Sequence, residues 1–109
     1  MTYMQLITTD QLKKETYFLY IHTPFCGTCH LARKILEQIE STLNKELFFE
    51  LNASLRPQFM NDMKVESVPC LLIKRDGEIK EKIYTFHSTS NILYYVMKHI
   101  PNLATYNMN

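Results

Sequence analysis

The sequence carries almost no excess of charge, three cysteines, two glycines and no long apolar run, and each of these shortages closes off a class of protein. A formal charge of +1 over 109 residues leaves no basic surplus with which to grip a phosphate backbone, so nucleic acid is not expected as a partner. Three cysteines are too few to staple a small secreted scaffold. No stretch approaches the ~20 apolar residues of a membrane-spanning helix. Met1 to Asp10 holds no basic segment followed by an apolar run, so the expected compartment is cytoplasmic. Nothing resembling a linker, repeat or low-complexity stretch interrupts the chain. The expectation is one domain over residues 1–109, with the polar tail Pro101 to Asn109 fraying. With so few glycines, Gly27 and Gly77 each mark a place where the backbone has a special task.

What the sequence does contain is a regular alternation of strand and helix signals. Met4 to Ile7 reads as a short edge strand, and Thr8 or Thr9 with Asp10 as the cap of a short helix through Gln11 to Lys14. Tyr17 to His22 is almost continuous in aromatic and β-branched residues, the pattern of a strand covered on both faces. Leu31, Ala32, Ile35, Leu36, Ile39 and Leu43 then recur at spacings of three and four around Arg33, Lys34, Glu37 and Glu40, which predicts a long amphipathic helix. Leu47 to Leu51 is a second buried strand, Arg56 to Met63 a shorter helix with Pro57 in its first turn, and Val68 to Ile73 a third strand. Asp76-Gly77 turns the chain back into Glu78 to Tyr84. Ser88 or Ser90 caps a last helix expected to bury Ile92, Leu93, Val96, Met97 and Ile100. The order predicts an α/β fold, a central mixed sheet with helices on both faces.

Cys26-Gly27-Thr28-Cys29 falls where the first long strand gives way to the long helix. At a helix N-terminus unpaired N–H groups and the macrodipole favour negative charge, so a cysteine there is expected to be partly thiolate. Residues three apart in a helical turn have Cα atoms roughly 5 Å apart, close enough for a disulfide to close and open. Lowering a thiol pKa from ~8.5 to ~7 raises the thiolate fraction at neutral pH about 16-fold, and intrinsic nucleophilicity falls roughly 5-fold. The net gain in attack is therefore small, and the larger benefit is that Cys26 becomes a better leaving group. Cys26, at the mouth of the helix, is expected to attack, and Cys29, one turn deeper, to resolve.

The cysteine pair after a buried strand, the Val68-Pro69 pair opening a later strand and the Asp76-Gly77 hairpin together resemble the thioredoxin family over nearly the whole chain. The resemblance implies a thiol–disulfide oxidoreductase without bound cofactor or metal. Its partners would be disulfide-containing proteins or small thiols and an upstream reductant. It also implies a cis peptide bond before Pro69, beside the dithiol, with the Val68 backbone pairing to an extended substrate. The chain departs from the family in carrying Phe25 where thioredoxins have tryptophan, Gly27-Thr28 where they have Gly-Pro, Cys70 where threonine is common, and Tyr20 in place of a buried carboxylate. His22 and His30 are then the nearby titratable groups. Gly27, Thr28, His30 and Cys70 are candidate modulators, although Cys70 also reads as a buried apolar residue and His30 as a surface residue of the helix's first turn.

Other chemistry fits the same cysteines. One Cys-x-x-Cys supplies half a tetrahedral zinc site, to be completed by His22, His30, Cys70 or a second chain, and a shared iron–sulfur cluster is a related option. Cys26 to His30 also satisfies the pattern for covalent haem attachment, although strands flank it where a helical haem protein is expected. A redox-silent binding domain of the same fold is the remaining alternative.

Overall fold

The computed structural model describes residues 4–100, so the tail from Pro101 lies outside the described residues. The elements are β1 (Gln5–Leu6), α1 (Thr9–Leu12), β2 (Tyr17–His22), α2 (Gly27–Leu43), β3 (Phe48–Asn52), a 3₁₀ turn (Ala53–Leu55), α3 (Pro57–Asp62), β4 (Cys70–Arg75), β5 (Glu78–Ile83) and α4 (Thr89–His99). The five strands form one sheet in the order β1-β3-β2-β4-β5. The first three are parallel, while β4 runs antiparallel to β2 and β5 antiparallel to β4. This is the α/β mixed sheet that the element order predicts.

Register decides which side chains face which layer. Phe18 and Tyr20 of β2 align with Phe48 and Glu50 of β3 and with Ile73 and Leu71 of β4. Most of that set packs under α2 and α4 with Ala32, Leu36, Ile39, Ile92 and Val96. The alternate residues Leu19 and Ile21 align with Leu72 and Cys70. They pack on the other face with Leu12 of α1, Phe59 and Met60 of α3, and Met63 just after it. β2 lies at the centre of the sheet, and all its residues but His22 are buried.

Local chemistry sets the ends of these elements. Thr8 caps α1 through a capping box with Gln11, each side chain bonding the other's backbone N–H. Asn44 ends α2 in the left-handed conformation, at φ 51°. Ser88 caps α4 by accepting the Asn91 N–H. Asp76 and Gly77 both have positive φ, 55° and 81°, as a two-residue hairpin turn requires.

Three expectations need correction. The third strand begins at Cys70, two residues later than the apolar run suggests, because Pro69 has no N–H to donate to a ladder; the Val68–Pro69 peptide bond is cis. Leu31 and Met97 are 57% and 47% exposed, on the outer sides of their helices. Glu40, placed by its charge among the solvated residues, is instead buried, and its Oε2 accepts the Leu47 and Phe48 N–H groups at 2.8 and 3.0 Å.

Candidate active site

β2 ends at His22, and Thr23 to Phe25 carry the chain from the sheet to α2. Because β2 is central, that loop emerges at the middle of one end of the sheet. Antiparallel pairing brings the start of β4 to the same end, with Cys70 opposite Ile21, so Val68 and Pro69 lie at the end from which the cysteine loop projects.

Cys26 is the N-cap of α2, in extended conformation at φ −122° and ψ 106°, and is joined to Cys29 by a disulfide across a Cα–Cα distance of 5.2 Å. Its Sγ accepts the Cys29 N–H at 3.2 Å, occupying the place a serine or aspartate oxygen takes in an ordinary cap. The Thr28 hydroxyl lies 3.5 Å from the same sulfur. The two cysteines differ in accessibility. Cys26 is partly exposed and Cys29 only 4% exposed, which is the asymmetry that one turn of helix imposes. Gly27, Thr28 and His30 are exposed around them, and Phe25 is 99% exposed.

Cys70 sits elsewhere. It is fully buried in the opposite layer with Ile7, Leu51, Val65 and Leu72, and burial pushes its thiol up to about 12. The packing favours the buried-apolar reading of this residue over that of a third redox thiol. An alkylating reagent is expected to modify no cysteine of the oxidised native protein and one after denaturation; rapid labelling of Cys70 without denaturation would contradict its burial.

Beneath the dithiol lies a polar group that the sequence pattern does not reveal. The buried Tyr20 hydroxyl donates to the Cys29 carbonyl oxygen at 2.5 Å. Its ring stacks on His22 at 5.1 Å between centroids, and the Arg33 guanidinium lies 5.2 Å from its centroid. Glu50 joins the other members, accepting from His22 Nε2 at 2.8 Å and from Arg33 Nη2. A carboxylate only accepts, so His22 donates to it from Nε2. Burial alone would raise the Glu50 pKa, but the bonds from His22 and Arg33 and the Arg33 charge outweigh it and hold the carboxyl below its ordinary value. Burial also raises the Tyr20 phenol to about 12, so it stays a neutral donor. The clue to this group is Glu50 itself, a lone carboxylate inside the apolar run Phe48 to Leu51. Its partners come from another strand and a helix, and periodicity does not reveal them. Among the described residues, no cluster of three or more His, Cys, Asp or Glu is arranged to hold a metal ion.

The arrangement can open and close a disulfide: one sulfur lies at an amide-lined helix end, and its neighbour lies within bonding reach and out of solvent. The family model for thioredoxin matches residues 3–98, and on that match the chain belongs to the thioredoxin family of thiol–disulfide oxidoreductases. It is 38% identical over 97 residues to the thioredoxin-like protein YusE of Bacillus subtilis, covering 89% of this chain and 91% of that one. It is 27% identical over 99 residues to a thioredoxin of Listeria monocytogenes, covering 86% and 96% of the two chains. Among solved structures, a mutant thioredoxin from Halobacterium salinarum superposes with a TM-score of 0.74 at 13% identity over 88% of each chain. A Malassezia sympodialis thioredoxin does so with 0.74 at 16% identity, over 89% and 90%. At such low identity these two structures speak for the fold alone. Among the described residues no helix is long and apolar enough to cross a membrane.

Proposed function

We propose that this thiol–disulfide oxidoreductase exchanges disulfides with protein or low-molecular-weight partners through Cys26 and Cys29, and is returned to the dithiol form by an upstream reductant. The observation that carries the proposal is the unequal setting of the two sulfurs, Cys26 at the cap and accessible, Cys29 buried one turn in. In the reducing direction the Cys26 thiolate attacks one sulfur of the substrate disulfide, and the other sulfur leaves as a thiolate. Cys29, having lost its proton to solvent, then attacks Cys26 Sγ and expels the second substrate sulfur. Two electrons pass to the substrate, the Cys26–Cys29 bond forms, and the two released thiolates take up protons from solvent.

Val68 and Pro69, at the same end of the sheet, serve as the docking edge for an extended substrate segment. Phe25, projecting beside the cysteines, adds an apolar contact for that segment. The exposed Gly27, Thr28 and His30 modulate the pair. A cytoplasmic setting, expected from the sequence, favours the reducing direction.

A redox titration of the purified protein with thiols counted at each end tests the proposal. Three thiols are expected in the reduced form and one in the oxidised form, with a single two-electron transition in which ~30 mV corresponds to a tenfold change in equilibrium constant. Stoichiometric metal held by Cys26 and Cys29, or a midpoint that vanishes when Cys70 is replaced, would overturn it.

A further inference from the structure

The mechanism leaves one buried polar contact unused, the hydrogen bond from Tyr20 to the main chain of Cys29. We infer that Tyr20 is a positioning residue for the second half of the reaction, holding the first turn of α2 so that Cys29 Sγ reaches Cys26 Sγ in the mixed disulfide. The inference rests on the roles proposed above for the two cysteines.

Three observations converge on it. The phenol bonds the carbonyl of the resolving cysteine and no other atom of the motif, at 2.5 Å from a fully buried ring. The ring itself is held on two sides, by His22 and by Arg33, and Glu50 ties those two residues together across β2, β3 and α2. Cys26, in contrast, takes its contacts from its own turn, from the Cys29 N–H and the Thr28 hydroxyl. The Cys29 N–H that caps Cys26 belongs to the same residue, so the two steps share this support but lean on it unequally. Attack by Cys26 on an open substrate tolerates a small shift of that cap. Resolution needs the Cys29 backbone at a fixed depth beneath it, because a small misplacement of reacting atoms costs rate steeply. In the resolving step the Cys29 thiolate forms the bond to Cys26 Sγ, the bond from Cys26 Sγ to the substrate sulfur breaks, and that sulfur leaves with the electron pair. Tyr20 exchanges no proton and remains a neutral donor throughout.

Tyr20→Phe removes the donor and keeps the ring. Stopped-flow mixing of fully reduced protein with one equivalent of a symmetrical nitrothiobenzoate disulfide separates the steps, since attack by Cys26 releases one coloured thiolate and resolution by Cys29 releases the second. The second release is expected to slow about 5-fold, the equivalent of one ordinary hydrogen bond, with the first release unchanged. Equal slowing of both phases would indicate a general structural role and overturn the inference, as would a second phase at the native rate. Cys29→Ser, run alongside, should give the first release and then stop with the adduct on Cys26. Failure to give that first release would overturn the cysteine roles themselves, whereas a normal first release combined with native-rate resolution in Tyr20→Phe would overturn the positioning inference alone.

Discussion

Cys26→Ser is expected to lower disulfide-reducing turnover by more than about a thousandfold, because no other described thiol is both accessible and set at a helix cap. Cys29→Ser is expected to be inactive in a different way: Cys26 still attacks, and covalent adducts with substrate accumulate. The difference follows from burial. Cys29 is inside the helix's first turn and 4% exposed, so on the proposed roles it meets an incoming disulfide only after Cys26 has brought it in. Intact-mass measurement after incubation with a disulfide substrate distinguishes the two variants. Adducts on Cys29 in the Cys26→Ser protein, at a rate matching the native reaction, would show the assignment to be reversed.

The second large effect concerns stability. Glu40 sends one carboxylate oxygen to two backbone N–H groups where the chain enters β3, and those donors are the Leu47 and Phe48 amides. Glu40→Leu leaves both donors buried without a partner, at a cost of about 1–3 kcal/mol each, so a loss of ~2–6 kcal/mol is expected in a urea unfolding curve. Glu40→Gln retains an oxygen that can accept both bonds and should fall within about 1 kcal/mol of the native protein. Burial, opposed by the two backbone bonds, still raises the Glu40 pKa above its ordinary value. A group raised in the folded state contributes stability that is full below its unfolded pKa, ~4.3, and is lost as pH rises through the folded value. The glutamine variant should therefore show less decline between acid and neutral pH. If Glu40→Leu unfolded at the native urea midpoint, the two amides would have to find other acceptors.

How much of this was legible in the sequence depends on whether the signal is local. β2 runs over the residues its aromatic and β-branched pattern marks, and the Asp76-Gly77 turn and the Ser88 cap follow from short-range backbone chemistry. Leu31 and Met97 misled because apolar residues on the border of a helical stripe belong to either side until the neighbouring element is known. The dithiol was visible as a spacing at a strand-to-helix junction. Tyr20, Glu50 and Arg33 were not visible as a group, since what joins them is the parallel register of β2 on β3 and the placement of α2 over both. Glu40 escaped notice for the same reason, its partners being the first residues after a turn that periodicity does not describe.

The borders of the sheet bear on how such a molecule avoids capturing copies of itself. A sheet with a long unpaired margin risks strand-by-strand polymerisation along it. Here one margin, β1, is two residues long, and the other, β5, has the sequence Glu-Ile-Lys-Glu-Lys-Ile with a break in register where it meets β4 between Ile73 and Lys74. Brevity on one side and lysines with a kinked ladder on the other leave little for a like chain to zip onto, so self-assembly is discouraged at the flanks while the end bearing the sulfurs stays open to others.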